Sequence, residues 1–196
     1  MNKTPSLPDS HVAVGLTNPK SPSNVGAVMR AAGCYGVDQV LYTGNRYAQA
    51  AKFSGNKLNT DTKNARDIIP LLAIDDFKSA KQVQNLPEGT KIICVDLVEG
   101  ATPLPHFQHP EQALYIFGPE DGTISQGVIN SADEVVYVPT LGCMNLAASV
   151  NVLLYDRLAK SLVNSKQVHS DNVLIRKSRD TNNKVKVCSS HHLTNG

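Results

Sequence analysis

The sequence has no tryptophan and few other aromatic residues, since Phe and Tyr together supply only 5% of its 196 residues. Proteins that hold single-stranded nucleic acid usually stack the bases on aromatic rings, so the composition argues against stacking of many splayed bases. No apolar run approaches the roughly 18 residues that a membrane span requires. The first ten residues, MNKTPSLPDS, are polar and contain two prolines, so we expect no signal peptide.

Metal and nucleotide fingerprints are also missing. The four cysteines, Cys34, Cys94, Cys143 and Cys188, form no CxxC pair, and no HExxH motif occurs. A structural zinc site normally shows four well-spaced ligands, so we predict no metal site and expect reduced thiols in a cytoplasmic protein. Neither GxGxxG nor GxxxxGK[ST] is present, which argues against the common glycine-rich nucleotide loops.

Charge divides the chain unevenly, although its net charge is only +2. From Arg157 to the end there are eight Lys or Arg against two Asp or Glu, so this part carries +6 and the rest −4. The length fits one domain with a sizeable core. We therefore expect a domain over residues 10–162 and a basic, polar tail over residues 163–196. The tail shows no clear hydrophobic period, and its charge fits either a solvated surface or a contact with RNA.

Short apolar strands alternate with helical segments along the chain. Strands are predicted over residues 11–16, 37–42, 71–74, 91–95, 113–117 and 135–138. Helices are predicted between the first two strands, near residues 47–53, over 75–86 with Asp75 or Asp76 as cap, over 124–132, and from Asn145 onward. A helix between two short apolar strands is typical of the βαβ unit. The chain therefore predicts an α/β fold with a mostly parallel sheet flanked by helices.

The stretch PTLGCMNLAASVNVLLYD, residues 139–156, joins the last predicted strand to a long helix. We expect Gly142 to supply the backbone freedom of a tight turn and Asn145 to be the helix N-cap. Apolar residues recur at helical spacing at positions 146, 150, 153 or 154, 158 and 162. The small residues at positions 147–149 leave space for a partner helix or a flat ligand.

Three loops each follow a strand and open a helix, namely NPKSPSNVG, FGPEDG and PTLGCMN. In a parallel sheet, ligands bind beyond the carboxyl ends of the strands. Because all three loops lie at such ends, we predict that they form one ligand site.

The segments NPKSPSNVGAVMRAAGCYGV, IFGPEDGTIS and VPTLGCMNLAASVNVLLYD resemble the three ordered motifs of the SpoU (TrmH-like) RNA ribose methyltransferases of the SPOUT superfamily. The resemblance covers about residues 10 to 160. It implies a deep trefoil knot in the C-terminal part of the domain, an exception to the rule against knotted connections. It also implies S-adenosylmethionine as methyl donor, a homodimer with the sites at its interface, and the 2′-hydroxyl of a tRNA or rRNA ribose as acceptor.

By this resemblance, Asn24, Arg30, Glu120 and Asn145 are the expected catalytic residues. Arg30 would bind the phosphate beside the target ribose and orient the 2′-hydroxyl, and Glu120 would hold the Arg30 guanidinium in a bidentate pair. Structural roles are open for the same residues. Arg30 fits a solvated helix position, Asn24 or Ser23 fits a helix N-cap, and Glu120 fits an exposed turn.

The resemblance also assigns the cofactor pocket, which is mostly backbone in this family. Its expected members here are Leu97, Gly118, Val138, Leu141, Cys143, Met144 and Asn145. Many relatives have Ser-Leu-Asn where this chain has Cys143, Met144 and Asn145, so the backbone contacts are expected to persist without a serine hydroxyl. For RNA we expect phosphate contacts from Arg46, Lys52 and Lys57, which lie in the polar segment after the second strand.

Two other functions fit the same sequence. One is a non-catalytic RNA-binding module of the same fold, against which the intact set of Arg30, Glu120 and Asn145 argues. Its distinguishing observation is a failure to bind S-adenosylmethionine. The other is a small doubly wound enzyme that uses a different nucleotide, which the missing glycine fingerprint disfavours.

Overall fold

The protein is described by a computed structural model over residues 10–53, 68–80, 86–164, 171–180 and 182–186. It separates into two compact units, Met1–Lys160 and Ser161–Gly196.

The first unit is built on a parallel sheet. Its strands are β1 (His11–Leu16), β2 (Gln39–Tyr42), β3 (Leu71–Ala73), β4 (Lys91–Val95), β5 (Thr102–Pro103), β6 (Gln112–Phe117) and β7 (Glu134–Tyr137). The strand order in the described residues is β3-β2-β1-β6-β4-β7-β5, and every neighbouring pair is parallel. The predicted parallel α/β sheet is therefore confirmed. Strand β5 was not predicted, and it lies at the sheet edge, where Pro103 can be accommodated without donating to a ladder.

Helices flank this sheet. They are α1 (Pro22–Tyr35), α2 (Arg46–Phe53), α3 (Gln126–Ser131) and α4 (Leu146–Asn164). The helix predicted over residues 75–86 is not seen at its start, because residues 75–79 form bends and turns, and residues 81–85 lie outside the described part of the chain. Asp76 accepts hydrogen bonds there from the N–H groups of Lys78 and Ser79, so Asp76 rather than Asp75 caps this turn.

Helix α1 begins before the predicted cap. Ser21 is its N-cap, since the Ser21 hydroxyl accepts a hydrogen bond from the Asn24 N–H at 3.3 Å. Pro22 follows at the first helical position, where its fixed φ fits the helix and its missing N–H costs nothing. The prediction of Asn24 or Ser23 as cap is therefore wrong, and the Asn24 side chain makes other contacts.

The sheet is buried on both faces. Val12, Val14 and Leu16 of β1 belong to a core cluster shared with α1 and α4, whereas Ala13 belongs to a second cluster with Phe77 and the residues of α3. Side chains alternate between the two faces along a strand, so covering both faces requires the nearly continuous apolar strands seen in the sequence. Because every neighbouring pair of strands is parallel, their carboxyl ends lie at one edge of the sheet.

Gly44, in the turn after β2, is held in a conformation that suits glycine. Its φ is +72°, and a Cβ there would lie 2.2 Å from Asn18 Oδ1. Gly100 has a similar φ of +86° but no heavy atom within 4 Å of a Cβ. Gly100→Ala should therefore lower the free energy of unfolding by about 1 to 2 kcal/mol through backbone strain alone. Gly44→Ala should lower it by more, because Asn18 must also move. Urea denaturation measures both values, and equal losses would contradict this reading of the Asn18 contact.

The second unit contains a helix that was not predicted, α5 (Asp171–Ser178). Its apolar residues are consecutive, namely Val173, Leu174 and Ile175, so the sequence shows no helical hydrophobic period there. Each of the three is about half exposed. Arg176 and Lys177 lie in the last turn, where cations interact favourably with the final carbonyl groups. None of the helices in the described part of the chain is long and apolar enough to cross a bilayer.

Candidate active site

A pocket of about 340 Å³ lies beyond the carboxyl ends of β4, β6 and β7. Its wall comes from the loops that follow these strands and from the start of α4. The lining residues are Val95, Asp96, Leu97, Phe117, Gly118, Pro119, Glu120, Asp121, Gly122, Val138, Thr140, Cys143, Met144, Leu146 and Ser149. The loops FGPEDG and PTLGCMN therefore share one site, at the edge of the sheet where the sequence placed it.

Five of the seven residues expected to bind the cofactor line this pocket, namely Leu97, Gly118, Val138, Cys143 and Met144. Two do not. Leu141 is fully exposed and is absent from the wall, and Asn145 lies just outside it at the start of α4. Leu141 sits at the outer tip of its loop, a position that the order of residues alone does not reveal.

Asn24, Glu120 and Asn145 form one hydrogen-bonded network beside the pocket. Glu120 accepts hydrogen bonds from the N–H groups of Lys20 and Ser21 at 2.9 and 3.1 Å and from Asn24 Nδ2 at 3.0 Å. Asn24 Oδ1 in turn accepts a hydrogen bond from Asn145 Nδ2 at 3.0 Å. This network ties the three motif loops together, since its members come from all three.

Two of these residues also fix helix ends. Asn145 Oδ1 accepts hydrogen bonds from the N–H groups of Ala147 and Ala148 at 2.9 and 3.4 Å, so Asn145 caps α4 as predicted. Glu120 lies against the N-terminus of α1, where a negative charge is favourable. Partial burial alone would raise the pKa of Glu120, but the hydrogen bonds from Lys20, Asn24 and Ser21 outweigh it and lower that pKa. Glu120 is therefore a carboxylate at neutral pH.

Arg30 lies apart from this network. Its side chain is exposed on α1, and within the described residues its guanidinium makes no hydrogen bond or ion pair. The predicted bidentate pair between Glu120 and Arg30 does not form among the described residues of one chain, where Glu120 is bonded to Lys20, Ser21 and Asn24 instead. Arg30 follows Asn24 by six residues, which on a helix is about 9 Å along the axis and about 120° around it. The two side chains consequently project from different parts of α1, and Glu120 reaches Asn24 instead.

Asp121 forms ion pairs with Arg46 and Lys20 at the rim of the pocket. Its two carboxylate oxygens accept hydrogen bonds from Arg46 NH1 and NH2 at 2.9 and 2.8 Å. The Lys20 ammonium lies 3.3 Å from the same carboxylate. The paired Arg46 guanidinium lowers the pKa of Asp121 to about 2, and Lys20 adds to this shift. Of the residues expected to bind RNA, Arg46 is thus placed at the site, Lys52 is exposed in the last turn of α2, and Lys57 lies outside the described residues.

Asp96 is a pocket residue that sequence reasoning missed. Its Oδ2 accepts hydrogen bonds from Thr123 Oγ1 at 2.7 Å and from the Ile124 N–H at 2.8 Å, and its Oδ1 accepts one from the Leu97 N–H. A Cβ at Gly118 would lie 3.1 Å from Asp96 Oδ2, so a side chain there would press on this carboxylate. An acidic residue directly after the apolar strand KIICV was the signal that could have identified Asp96.

The loop after β7 is more open than expected. Gly142 is not among the residues with positive φ, and a Cβ built there meets no heavy atom within 4 Å. The turn in this structure therefore does not require glycine. Thr140 Oγ1 donates a 2.7 Å hydrogen bond to the Gly142 carbonyl and helps to close the turn. Cys143 is an exposed thiol beside the pocket. Among the described residues, no three His, Cys, Asp or Glu side chains are grouped so that they could hold a metal ion.

Known proteins share this fold. The model of the SpoU rRNA methylase family matches residues 11–155. Among solved structures, the chain is 17% identical to AviRb, a SpoU methyltransferase from Streptomyces viridochromogenes in complex with AdoMet, with a TM-score of 0.62 over 80% of this chain and 60% of that one. It is 16% identical to the A. aeolicus TrmH/SpoU tRNA modifying enzyme, with a TM-score of 0.62 over 86% and 87% of the two chains.

A third solved structure, an RNA 2′-O ribose methyltransferase, is 22% identical, with a TM-score of 0.59 over 83% of this chain and 60% of that one. The chain thus spans about 60% of the length of this protein and of AviRb. No curated protein sequence matches the chain significantly.

Proposed function

Because the chain belongs to the SpoU rRNA methylase family, we propose that it transfers a methyl group from S-adenosylmethionine to the 2′-hydroxyl of a ribose in a structured RNA, a tRNA or an rRNA. The observation that carries this proposal is the hydrogen-bonded network of Asn24, Glu120 and Asn145, which joins three separate loops beside one pocket. These are three of the four residues that the resemblance assigns to catalysis. The solved structures of similar fold include a protein bound to AdoMet and a 2′-O ribose methyltransferase, which supports the same reaction.

The pocket fits the proposed methyl donor in size and chemistry. Its volume of about 340 Å³ is within the usual range for small-molecule sites, about 300–1,000 Å³. Apolar walls from Leu97, Phe117 and Val138 suit an adenine ring, and the carboxylates of Asp96 and Glu120 line the same space. Carboxylates there favour a ligand that carries positive charge. When bound, S-adenosylmethionine supplies a methyl group on a positively charged sulfur, which an oxygen nucleophile can accept.

The chain's own residues would contribute mainly by positioning. Arg30 would bind the phosphate beside the target ribose with its guanidinium fork and so orient the 2′-hydroxyl. The proton of that hydroxyl would leave during methyl transfer to the same phosphate, or to Arg30 only if desolvation first removes a proton from its guanidinium, since the charged guanidinium has no acceptor site. The network of Asn24, Glu120 and Asn145 would keep the three motif loops in fixed relative positions, because it contacts the N-termini of both α1 and α4. Such positioning supplies a large share of the rate enhancement in a dry, shaped site.

A homodimer completes the proposal. Arg30 has no partner among the described residues of its own chain, which fits a role at a site shared between subunits. Tyr155 on α4 is 62% exposed and lies near Tyr35 and the exposed Cys34 at the end of α1. We propose that a second copy packs against this exposed patch. We also propose that the small residues at positions 147–149 of α4 allow close packing against the second copy, and that the C-terminal part of the domain forms the expected trefoil knot.

Arg46 and Lys52 are proposed to contact RNA phosphates, together with Lys57 and the basic tail. Exposed cations are common on any protein surface, but Arg46 lies at the pocket rim, where a phosphate next to the target ribose would pass. Several such contacts would make RNA binding fall steeply with salt.

The decisive experiment is transfer of tritium from labelled S-adenosylmethionine to total tRNA and rRNA from a strain that lacks the protein. We expect label in one RNA class, and digestion of that RNA should yield a 2′-O-methylated nucleoside. Calorimetric titration with S-adenosylmethionine distinguishes the alternative. If the protein binds S-adenosylmethionine but the label is found on a base, the acceptor is not the proposed ribose 2′-hydroxyl. If it binds RNA but not S-adenosylmethionine, the non-catalytic RNA-binding module is favoured.

Replacing Cys143 by serine should leave cofactor affinity within about twofold, because serine is nearly the same size and the expected contacts of this pocket residue are made by its backbone. Cys143 is exposed and makes no side-chain hydrogen bond among the described residues, so the pocket would keep its backbone contacts. Calorimetry with S-adenosylmethionine checks this, and a large loss of affinity would show that the thiol itself contributes to the site.

A further inference from the structure

The cluster of Lys20, Arg46 and Asp121 has the geometry of an anion site that is already filled. Arg46 donates both arms of its guanidinium to Asp121, at 2.9 and 2.8 Å, and the Lys20 ammonium approaches the same carboxylate to 3.3 Å. All three side chains keep substantial exposure, at 31% for Arg46, 46% for Asp121 and 49% for Lys20. The carboxylate is therefore held on two sides by cations and is also open to solvent.

The location of this cluster links it to the pocket. Asp121 lines the pocket directly after Glu120, and Lys20 donates its backbone N–H to Glu120 at 2.9 Å. Lys20 lies in the loop after β1, Arg46 is the first residue of α2, and Asp121 lies in the loop after β6. No single segment thus determines the cluster, and the fold brings it together at the rim of the pocket.

A guanidinium fork recognises a carboxylate and a phosphate through the same bidentate geometry. Exposed ion pairs contribute little to stability because water screens the charges, so the Asp121 pair can be exchanged at small cost. Asp121 is ionised throughout the physiological range, since the Arg46 guanidinium holds its pKa at about 2. An incoming anion must therefore displace a charged carboxylate and cannot find the site vacated by protonation.

We propose that Lys20 and Arg46 form a binding site for a backbone phosphate of the RNA substrate, and that Asp121 occupies this site until RNA displaces it. This inference rests on the proposed RNA methyl transfer and adds a specific subsite to it. Asp121 acts as an internal competitor. The Asp121 carboxylate weakens the binding of small anions, which contact only Lys20 and Arg46. RNA displaces this carboxylate because it contacts both cations and also fills the neighbouring pocket.

The test uses the full chain, an unfractionated tRNA preparation and filter binding at several salt concentrations. Asp121→Asn keeps the size of the side chain but removes the competing charge, so the variant should bind tRNA about three- to tenfold more tightly. Arg46→Gln should weaken binding by about tenfold and reduce the dependence of log Kd on log salt by about one phosphate contact. Asp121→Asn combined with Arg46→Gln and Lys20→Gln should lose the gain entirely. Glu88→Gln, an exposed residue before β4, is the matched control for loss of one negative charge.

The outcomes separate this inference from the proposed function. If Asp121→Asn binds tRNA no more tightly than Glu88→Gln while the wild type transfers methyl groups normally, Asp121 only fastens α2 to the pocket loop and the inference is overturned. Calorimetry with S-adenosylmethionine and thermal unfolding show whether Asp121→Asn keeps its pocket and fold. If it does not, Arg46→Gln and Lys20→Gln still decide, because unchanged tRNA affinity in both overturns the phosphate site. A wild type that neither binds nor methylates RNA overturns the proposed function as well.

Discussion

Replacing Arg30 by alanine should lower the rate of methyl transfer by about 10²- to 10³-fold, the usual cost of removing one charge-stabilising donor from an active site. The side chain is exposed and makes no hydrogen bond or ion pair among the described residues. Its loss should therefore change the free energy of unfolding by no more than about 0.5 kcal/mol. A large effect on transfer without an effect on stability is the signature of a residue that acts on the substrate.

Two further variants sharpen this result. Arg30→Lys keeps the charge but loses the bidentate fork, so its rate should fall between those of the wild type and Arg30→Ala. Lys78→Ala removes an exposed cation that does not line the pocket and should retain full activity. Single-turnover rates at saturating S-adenosylmethionine measure the effect. Normal transfer by Arg30→Ala would remove Arg30 from the mechanism and return it to the role of a solvated helix residue.

Acid should destabilise the first unit between about pH 6.5 and pH 4, because a buried histidine there is held neutral. His109 Nδ1 lies 2.7 Å from the Tyr115 hydroxyl, and His109 Nε2 lies 2.8 Å from Asp156 Oδ2. Arg157 donates to the Tyr115 hydroxyl at 3.0 Å, and Lys160 donates to the carbonyls of Leu104 and Phe107 at 2.7 and 2.9 Å. The network fastens the segment before β6 to α4.

Burial is the main cause that lowers the pKa of His109 to about 4, and the cations Arg157 and Lys160 lower it further, against the opposing effect of Asp156. The ordinary value is 6.5. As the pH falls below 6.5, His109 therefore becomes protonated in the unfolded chain but stays neutral in the folded chain until the pH approaches 4. This stabilising contribution is complete above pH 6.5 and is lost progressively down to pH 4. A shift of this size corresponds to about 3 kcal/mol.

Urea denaturation at intervals from pH 7 to pH 4 checks this expectation, with His109→Gln as the comparison. The variant should be less stable at pH 7, because it cannot reproduce both hydrogen bonds, but its stability should fall less steeply between pH 6.5 and 4.5. The slope is the informative quantity, since carboxylates such as Glu120 titrate alike in both proteins. Equal slopes in the wild type and the variant would mean that His109 takes up its proton over the same pH range in the folded and unfolded chains.

The sequence predicted those features that depend on neighbours along the chain. The apolar strands, the helix of Asn145 and the three motif loops were identified because strand periodicity, capping and glycine or proline turns are local properties. The small edge strand β5 and helix α5 were missed for the same reason. Two residues form too short a pattern, and three consecutive apolar residues on a helix leave no period to detect.

The partners of charged side chains could not be predicted in this way. The sequence identified Glu120 and Arg46, but Glu120 was assigned to Arg30 and Arg46 to RNA alone, whereas Glu120 meets Asn24 and Arg46 meets Asp121. Each of these contacts joins residues at least 75 positions apart. Which carboxylate faces which cation depends on rotations of loops and helices by a fraction of a turn, and residue order does not specify them.

The position of β1 in the sheet bears on how the protein is made. Among the described strands β1 is synthesised first, yet it lies between β2 and β6, and its pairing with β6 begins with His11 beside Gln112. A ribosome that adds about 5–20 residues per second needs about 5–20 s to supply that partner. Throughout this interval one edge of an apolar strand is unpaired, and such an edge can pair with the same strand of another nascent chain. Nascent chains on neighbouring ribosomes of one message would thus be exposed to this mispairing before all the residues of the pocket have been joined to the chain.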